Sequence, residues 1–217
     1  MQAALLCLAA IAILWPSLDA GFIWDDIKQI SESPTIAGAE APMRYFSLNV
    51  VESWGSKGRG GEGVDTYRPL FFIALWSIHH LTGPDPFWFH LAVLLTHLGV
   101  CLLLWLIARR WLDSNLAAAL VFAVFAIHPV TAEAFLWASA ISESMAVAGL
   151  LGAILILDRW CRDDEMRWLA SAGAGLVMLI GLLSKVAVIT ALPVVSIYLW
   201  RVRGVNLKAL SGPWIAA

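Results

Sequence analysis

Charged residues are scarce in this sequence. Only 14% of its 217 residues are Asp, Glu, Lys or Arg, whereas a soluble domain carries about 25%. Hydrophobic residues make up 60% and fall in long blocks, and the mean hydropathy is +0.79. The shortage of charge excludes an ordinary soluble domain, and the blocks predict an all-α, polytopic transmembrane helical bundle.

Cysteine and net charge are also low, and each excludes a class of protein. The three cysteines, Cys7, Cys101 and Cys161, lack ligand-like spacing, so they indicate neither a zinc knuckle nor a disulfide framework. A formal net charge of −2 does not indicate the basic surface with which proteins bind nucleic acid. No metal site is predicted and no cofactor is firmly implied, since no residue cluster supports a divalent metal.

The apolar blocks predict a single membrane domain over 1–217. No Lys or Arg precedes the first block, which favours an uncleaved helix over a signal peptide. A long loop over about 19–86 follows, and its segment 68–83 is predicted to form an interfacial helix. The later blocks are near the ~20 residues needed to cross a bilayer. Predicted spans cover about 1–18, 87–108, 115–132, 138–157, 167–184 and 186–200, and another begins near 209.

Basic residues collect on alternate short connections between these spans. The positive-inside rule makes those connections cytoplasmic and sends the long first loop to the outer side. We therefore predict an integral membrane protein whose active side faces the exterior, or the periplasm if the membrane is a bacterial inner membrane. The basic residues of the three connections are Arg109 and Arg110; Arg159, Arg162 and Arg167; and Arg201, Arg203 and Lys208.

Several ionisable residues that are costly to hold near a membrane map to the outer side in this topology. Each residue also has a structural explanation that needs no active site. The acids could be solvated in loops, His128 could cap a helix, and Lys185 could snorkel to the headgroups. Together, however, they suit sugar transfer from a phosphate carrier, with a carboxylate as general base and basic groups stabilising the departing phosphate. The residues are Asp25, Asp26, Arg68, His128, Glu133, Glu143 and Lys185.

Five short motifs occur in a fixed order along the chain. They are FIWDD at 22–26, YRPL at 67–70, Phe89-His90 with His97 seven residues later, HPVTAEA at 128–134 and SKVAVITALP at 184–193. From about residue 21 to 195 this order resembles the GT-C glycosyltransferases. The similarity is to the protein O-mannosyltransferase-like branch that includes the transmembrane and tetratricopeptide-repeat proteins. It implies a GT-C-like N-terminal half.

The resemblance implies roles for individual residues. Asp25 or Asp26 would be the catalytic base that acts on the acceptor. Arg68 would hold the lipid phosphate, and Lys185 matches the lysine of a Lys-Glu pair in the family, although Val186 follows it here. The residues expected to support this site are Tyr67, His128, Glu133 and Glu143.

The predicted function is therefore that of a membrane glycosyltransferase. It would move a sugar, mannose by the resemblance, from a polyprenyl-phosphate-linked donor to a protein Ser/Thr hydroxyl or to a lipid, in contact with membrane lipids. The alternative is a non-catalytic GT-C-like scaffold that assembles with other membrane subunits. A channel or transporter is a weaker third hypothesis, because its polar residues would recur through the membrane depth.

Overall fold

The computed structural model describes residues 1–38, 42–47, 67–160, 167–201 and 204. Within these ranges the regular structure is entirely helical, which confirms the predicted all-α class. Among the described residues, three helices are long and apolar enough to cross a membrane: Gln2–Asp19, Pro86–Trp111 and Ala138–Arg159. The span predicted to begin near 209 lies outside the described residues, as do Cys161, Arg162, Arg203 and Lys208.

The chain starts with α1 (Gln2–Leu14), which continues as a 3-10 helix over Trp15–Asp19. The first loop then holds a π-helical turn (Ile27–Ser31), α2 (Pro34–Ala37) and a 3-10 helix (Pro42–Ser47). The later α-helices are α3 (Pro69–Thr82), α4 (Pro86–Trp111), α5 (Asn115–Ile127), α6 (Glu133–Leu136), α7 (Ile141–Trp160), α8 (Arg167–Ser184) and α9 (Leu192–Arg201). Between them lie 3-10 helices over Pro129–Thr131, Ala138–Ala140 and Val186–Ala191.

Local sequence signals account for several helix ends. Asp85 accepts the Phe87 N–H at 3.0 Å and begins α4, because a side-chain oxygen satisfies an N–H that has no partner inside the helix. The segment predicted as a span over 115–132 is α-helical only to Ile127. Pro129 accounts for this end, since the residue before a proline is disfavoured in the helical region and His128 is extended, with ψ 134.

Helix α4 is the central helix of the described bundle. It packs against α1, α5, α6 and α7, and Phe89, Val93 and Leu94 are buried along it. His97 on the same helix lies with its Nε2 3.2 Å from the Ala126 carbonyl oxygen of α5. A helix with so many neighbours fixes the ends of the other helices relative to one another.

Helices α7 and α8 cross at a pair of glycines. A Cβ built on Gly149 would lie only 2.7 Å from the Cα of Gly181, so Gly149 requires the smallest residue, and a Cβ on Gly181 would be tightly packed at 3.0 Å from the Ala146 carbonyl oxygen. Small residues let membrane helices approach closely enough for backbone atoms to contact. This close crossing sets the distance between the start of α7 and the end of α8, where two charged side chains meet.

The two ends of the bundle carry different side chains. One end, called the acidic end below, holds Asp25, Asp26, Arg68, Glu133, Glu143 and Lys185. The other end, called the arginine end, holds Arg109, Arg110 and Arg159 with Asp158. Helices α4 and α7 run in parallel from the first end to the second, because Arg110 and Asp158 meet near their C-terminal ends.

Candidate active site

A cavity of about 380 Å³ opens at the acidic end of the bundle. Five of the eight residues predicted for the site line it, although they are far apart in sequence. Each lies at or beside the end of a helix, where a charged group can reach water while the helix interior stays apolar. The five residues are Asp25, Arg68, Glu133, Glu143 and Lys185.

Lys185 and Glu143 form an ion pair across the cavity wall. Lys185 follows the end of α8 and Glu143 lies in the first turn of α7, 42 positions earlier in the chain. The family's Lys-Glu pair is formed by neighbouring residues, but here Val186 follows Lys185. The carboxylate that contacts Lys185 comes instead from another helix, α7. The Glu143 side chain is 46% exposed, so water competes for this contact.

Arg68 and Lys185 are two cations that act on each other. Burial lowers the pKa of Arg68, while the nearby Asp25 carboxylate opposes that shift. Burial also lowers the pKa of Lys185, and the positive charge of Arg68 lowers it further. Two partly desolvated cations that repel each other are stabilised by an anion placed between them. Arg68 and Lys185 are therefore the groups of this cavity to which an anion could bind, beside the carboxylates of Asp25, Glu133 and Glu143.

Asp25 and Asp26 occupy different environments despite being neighbours. Asp25 is exposed and lines the cavity. Asp26 is fully buried, and its carboxylate accepts the backbone N–H groups of Ser139 at 2.7 Å and Ala138 at 3.3 Å. Ser139 itself lines the cavity, so Asp26 fastens one wall of the site to the first loop.

Three other predicted residues have different surroundings. Asp26, Tyr67 and His128 are not among the residues that line the cavity. Tyr67 is 40% exposed. His128 accepts the Val130 N–H with Nδ1 at 3.1 Å, as a cap does, and lines a neighbouring apolar groove.

Sequence reasoning did not single out the aromatic residues beside the acids. Trp137 lines the cavity, and its ring centroid lies 5.6 Å from that of Trp24. Trp24 precedes Asp25 with a positive φ of 49, an uncommon backbone conformation for a bulky residue. In a chain with 12 tryptophans, such residues fit an aromatic belt at the membrane surface equally well. Their pairing is visible only in the fold.

The described residues contain no group of three or more His, Cys, Asp or Glu side chains that could hold a metal ion. The charged groups that line the cavity are three carboxylates, a guanidinium and an ammonium. Such a set can take a proton from a hydroxyl and stabilise a phosphate.

Known proteins share much of this sequence. Over 198 residues the chain is 30% identical to protein O-mannosyl-transferase Tmtc2 of Drosophila melanogaster, which covers 88% of this chain and 21% of that protein. It is 27% identical over 218 residues to Tmtc3 of the same organism, covering 89% of this chain and 23% of the relative. This chain is homologous to the Tmtc protein O-mannosyl-transferases.

A human homologue, protein O-mannosyl-transferase TMTC1, is 30% identical over 156 residues, which is 71% of this chain and 16% of that protein. The Tmtc homology confirms the resemblance expected from the five motifs. The chain spans about a fifth of the length of the curated relatives that it matches. No family model matches the chain, and no solved structure matches it significantly.

Proposed function

We propose that this chain carries the transfer site of a membrane glycosyltransferase that acts on protein. The observation that carries the proposal is the cavity at the acidic end, which holds a solvent-accessible carboxylate, Asp25, beside two mutually repelling cations, Arg68 and Lys185. The Tmtc relatives are named as protein O-mannosyl-transferases. Mannose and a protein hydroxyl are therefore the proposed sugar and acceptor.

The two cations suit the phosphate of a polyprenyl-phosphate-linked donor. Arg68 presents a planar fork of N–H donors, which can bind two phosphate oxygens at once. Lys185 supplies a second, compact charge, and its contact with the half-exposed Glu143 can be exchanged for a phosphate oxygen. Burial and the charge of Arg68 lower the pKa of Lys185, and a phosphate between the two cations would offset their repulsion.

Asp25 is the proposed general base. It would accept the proton of a Ser or Thr hydroxyl while that oxygen bonds to the anomeric carbon of the sugar. The bond between that carbon and the phosphate oxygen breaks, and its electron pair stays on the phosphate, where Arg68 stabilises the growing negative charge. Asp26 is proposed to position the site rather than react, because its oxygens already bind two backbone N–H groups.

One observation favours the non-catalytic scaffold as a second candidate. Lys185 is already paired with Glu143, and a compensated cation gains less from a bound phosphate. In a scaffold, this pair would serve only to join α7 to α8.

A transfer assay on the wild-type chain and on an Asp25 variant separates these candidates. We expect Asp25→Asn to lower turnover by roughly 10²–10⁴-fold, the contribution typical of a general base, without loss of donor binding. Turnover would be measured in the full natural chain with radiolabelled polyprenyl-phosphate mannose and a Ser/Thr peptide. Asp19→Asn is the matched control, since Asp19 is an exposed acid outside the cavity lining. Normal turnover of Asp25→Asn would remove Asp25 as the base, whereas the absence of turnover in a correctly assembled wild-type protein would favour the scaffold.

The proposal also places the acidic end on the extracytoplasmic side. Leu81, near the end of α3, and Leu112, just after α4, are both exposed, so cysteines introduced there can report sidedness. In a chain without its native cysteines, we expect an impermeant reagent to label Leu81→Cys, but not Leu112→Cys, in sealed vesicles that keep the extracytoplasmic side outward. The reverse labelling pattern would invert the orientation.

A further inference from the structure

Two neutral polar side chains are almost completely buried at the cavity of the acidic end. Gln29, in the π-helical turn of the first loop, is 6% exposed, and Ser142, in the first turn of α7, is 1% exposed. Both residues line the cavity. Within the described ranges, no residue forms a hydrogen bond with the Gln29 amide or the Ser142 hydroxyl. Water or a ligand in the cavity is therefore left to satisfy these groups, because a buried polar group without a partner is costly.

The Ser142 hydroxyl differs from other hydroxyls on the helices of this bundle. Ser77, Thr82 and Ser184 each donate to the carbonyl oxygen four residues earlier, at 2.6, 2.8 and 2.9 Å. For Ser142 that position is Ala138, which lies in the 3-10 helix before α7. Since the α-helical repeat does not extend back to Ala138, Ser142 lacks this usual acceptor. Its hydroxyl is therefore available to a ligand.

Gln29 is held in place by the turn that carries it. The Glu32 N–H donates to the Ile27 carbonyl oxygen, five residues earlier, at 2.7 Å, and such π-helical turns are frequent at functional sites. Asp26, on one side of Gln29, is bonded to the start of α7, and Ile30, on the other, is buried in the core. A side chain fixed in this way loses little conformational freedom when a ligand binds.

We propose that Gln29 and Ser142 bind hydroxyl groups of the donor sugar, and so help to select the sugar that is transferred. This inference rests on the proposed function. An amide and a hydroxyl both donate and accept hydrogen bonds, as sugar hydroxyls do, and neither carries a charge for the phosphate, which the two cations suit better. A buried site that bonds a hydroxyl discriminates against an analogue that lacks it, because the site's own polar groups are then left unpaired.

The depth of these residues separates the sugar from the acceptor. Asp25, the proposed base, is exposed, whereas Gln29, four residues later, is buried on the same cavity. An acceptor hydroxyl would reach Asp25 from the exposed side of the cavity. The buried side, where Gln29 and Ser142 lie, is then left for the sugar ring, while the phosphate contacts Arg68 and Lys185.

Donors that lack single hydroxyls test this assignment. Transfer would be measured in the full natural chain with polyprenyl-phosphate mannose and with a set of analogues that each lack one hydroxyl of the mannose ring. The variants are Gln29→Leu and Ser142→Ala. Gln2→Leu is the matched control, because Gln2 is the other glutamine of the chain and lies outside the cavity lining.

We expect Gln29→Leu to lower kcat/KM for the mannose donor by roughly tenfold, as loss of one buried hydrogen bond does. With the analogue that lacks the bonded hydroxyl, the variant and the wild type should transfer sugar at nearly equal rates, because that bond is already missing. Ser142→Ala should show the same pattern for the hydroxyl that it binds. An equal loss with every donor, or no loss with the mannose donor, overturns the assignment and leaves the transferase intact.

Equilibrium binding gives a readout that does not require turnover. Gln29→Leu should weaken binding of polyprenyl-phosphate mannose and leave binding of polyprenyl phosphate, which has no sugar, unchanged. The midpoint of thermal unfolding should stay constant or rise, since the substitution removes an amide that has no partner in the fold. A lower midpoint with equal losses of both ligands would show a structural role and overturn the assignment. If the wild-type chain transfers no sugar, the proposed function fails, while a selective loss of the mannose donor still supports the sugar contact.

Discussion

Helix α7 contributes a carboxylate to an ion pair at each end of the bundle, and the two pairs differ in their access to water. At the arginine end, Arg110 Nε donates to Asp158 at 2.8 Å, and the Asp158 side chain is only 1% exposed. At the acidic end, Glu143 contacts Lys185 while keeping 46% of its side chain exposed. The arginine-end carboxylate is desolvated, and the acidic-end carboxylate is largely hydrated.

This difference in exposure indicates which ion pair stabilises the fold and which ion pair can exchange its partner for a ligand. A buried carboxylate cannot lose its partner without a large penalty, whereas an exposed pair contributes little and can exchange partners. The Arg110–Asp158 pair therefore ties α4 to α7. The Glu143–Lys185 pair leaves Lys185 able to turn to an anion, in keeping with the proposed donor site.

The largest expected effect on donor binding comes from Arg68. We expect Arg68→Ala to weaken binding of a polyprenyl-phosphate donor by roughly 10- to 100-fold, since hydrogen bonds to charged groups contribute about 1.5–3 kcal/mol. Arg68→Lys should weaken binding less, because it keeps the charge and loses the two-pronged contact. Equilibrium binding of a labelled donor measures both. Arg109→Ala at the arginine end is the control. Equal losses of donor affinity in the two Ala variants would show that the donor does not bind specifically at the acidic end.

The next largest expected effect is on the free energy of unfolding when either ion pair is broken. We expect Asp158→Asn to lower the free energy of unfolding by about 2–3 kcal/mol, somewhat below the ~3–5 kcal/mol of a fully buried pair because Arg110 is partly hydrated. Glu143→Gln should change it by less than about 1 kcal/mol. Chemical denaturation in detergent compares the two variants. A larger loss in Glu143→Gln would reverse the assignment of the two pairs.

The smallest expected effect is a pH dependence of donor binding. Burial and the charge of Arg68 lower the pKa of Lys185 below its ordinary value of 10.5. Lys185 is charged below its lowered pKa, so donor affinity should be greatest below that pKa and fall a few-fold as pH rises through it. Lys185→Arg should remove this decline, because a guanidinium stays protonated to about pH 12. Donor titrations from neutral to alkaline pH would show it, and an identical decline in both proteins would assign it to another group.

Much of the architecture was predictable from local sequence. Long apolar blocks predicted helices because a backbone in hydrocarbon must satisfy its own hydrogen bonds. The helices that begin at Pro69 and Pro86 start within one residue of the predicted 68 and 87, whereas the span predicted over 115–132 ran past the helix end before Pro129. The charges at block ends predicted which polar residues share an end of the bundle. Five of the eight predicted site residues line one cavity for that reason.

The division of labour between Asp25 and Asp26 was not predictable. Both are acids in the same loop, and the sequence alone left the choice of base open. Trp24 has a φ of 49, and after this turn Asp25 lines the cavity. The Asp26 carboxylate instead accepts the N–H groups of Ser139 and Ala138, which lie 113 and 112 residues later in the chain. Those partners exist only once the first loop packs against the start of α7.

By itself, the sequence determined that this protein is a helical membrane bundle with most of its predicted site residues gathered at one end, because hydropathy and helix-end chemistry act over a few neighbouring residues. The tertiary structure alone decided which of those residues meet. The pairing of Lys185 with Glu143 depends on two helices crossing at Gly149 and Gly181, and the meeting of Gln29 and Ser142 at one cavity depends on how the first loop packs against α7. Such contacts between distant residues follow from packing, which no local pattern encodes.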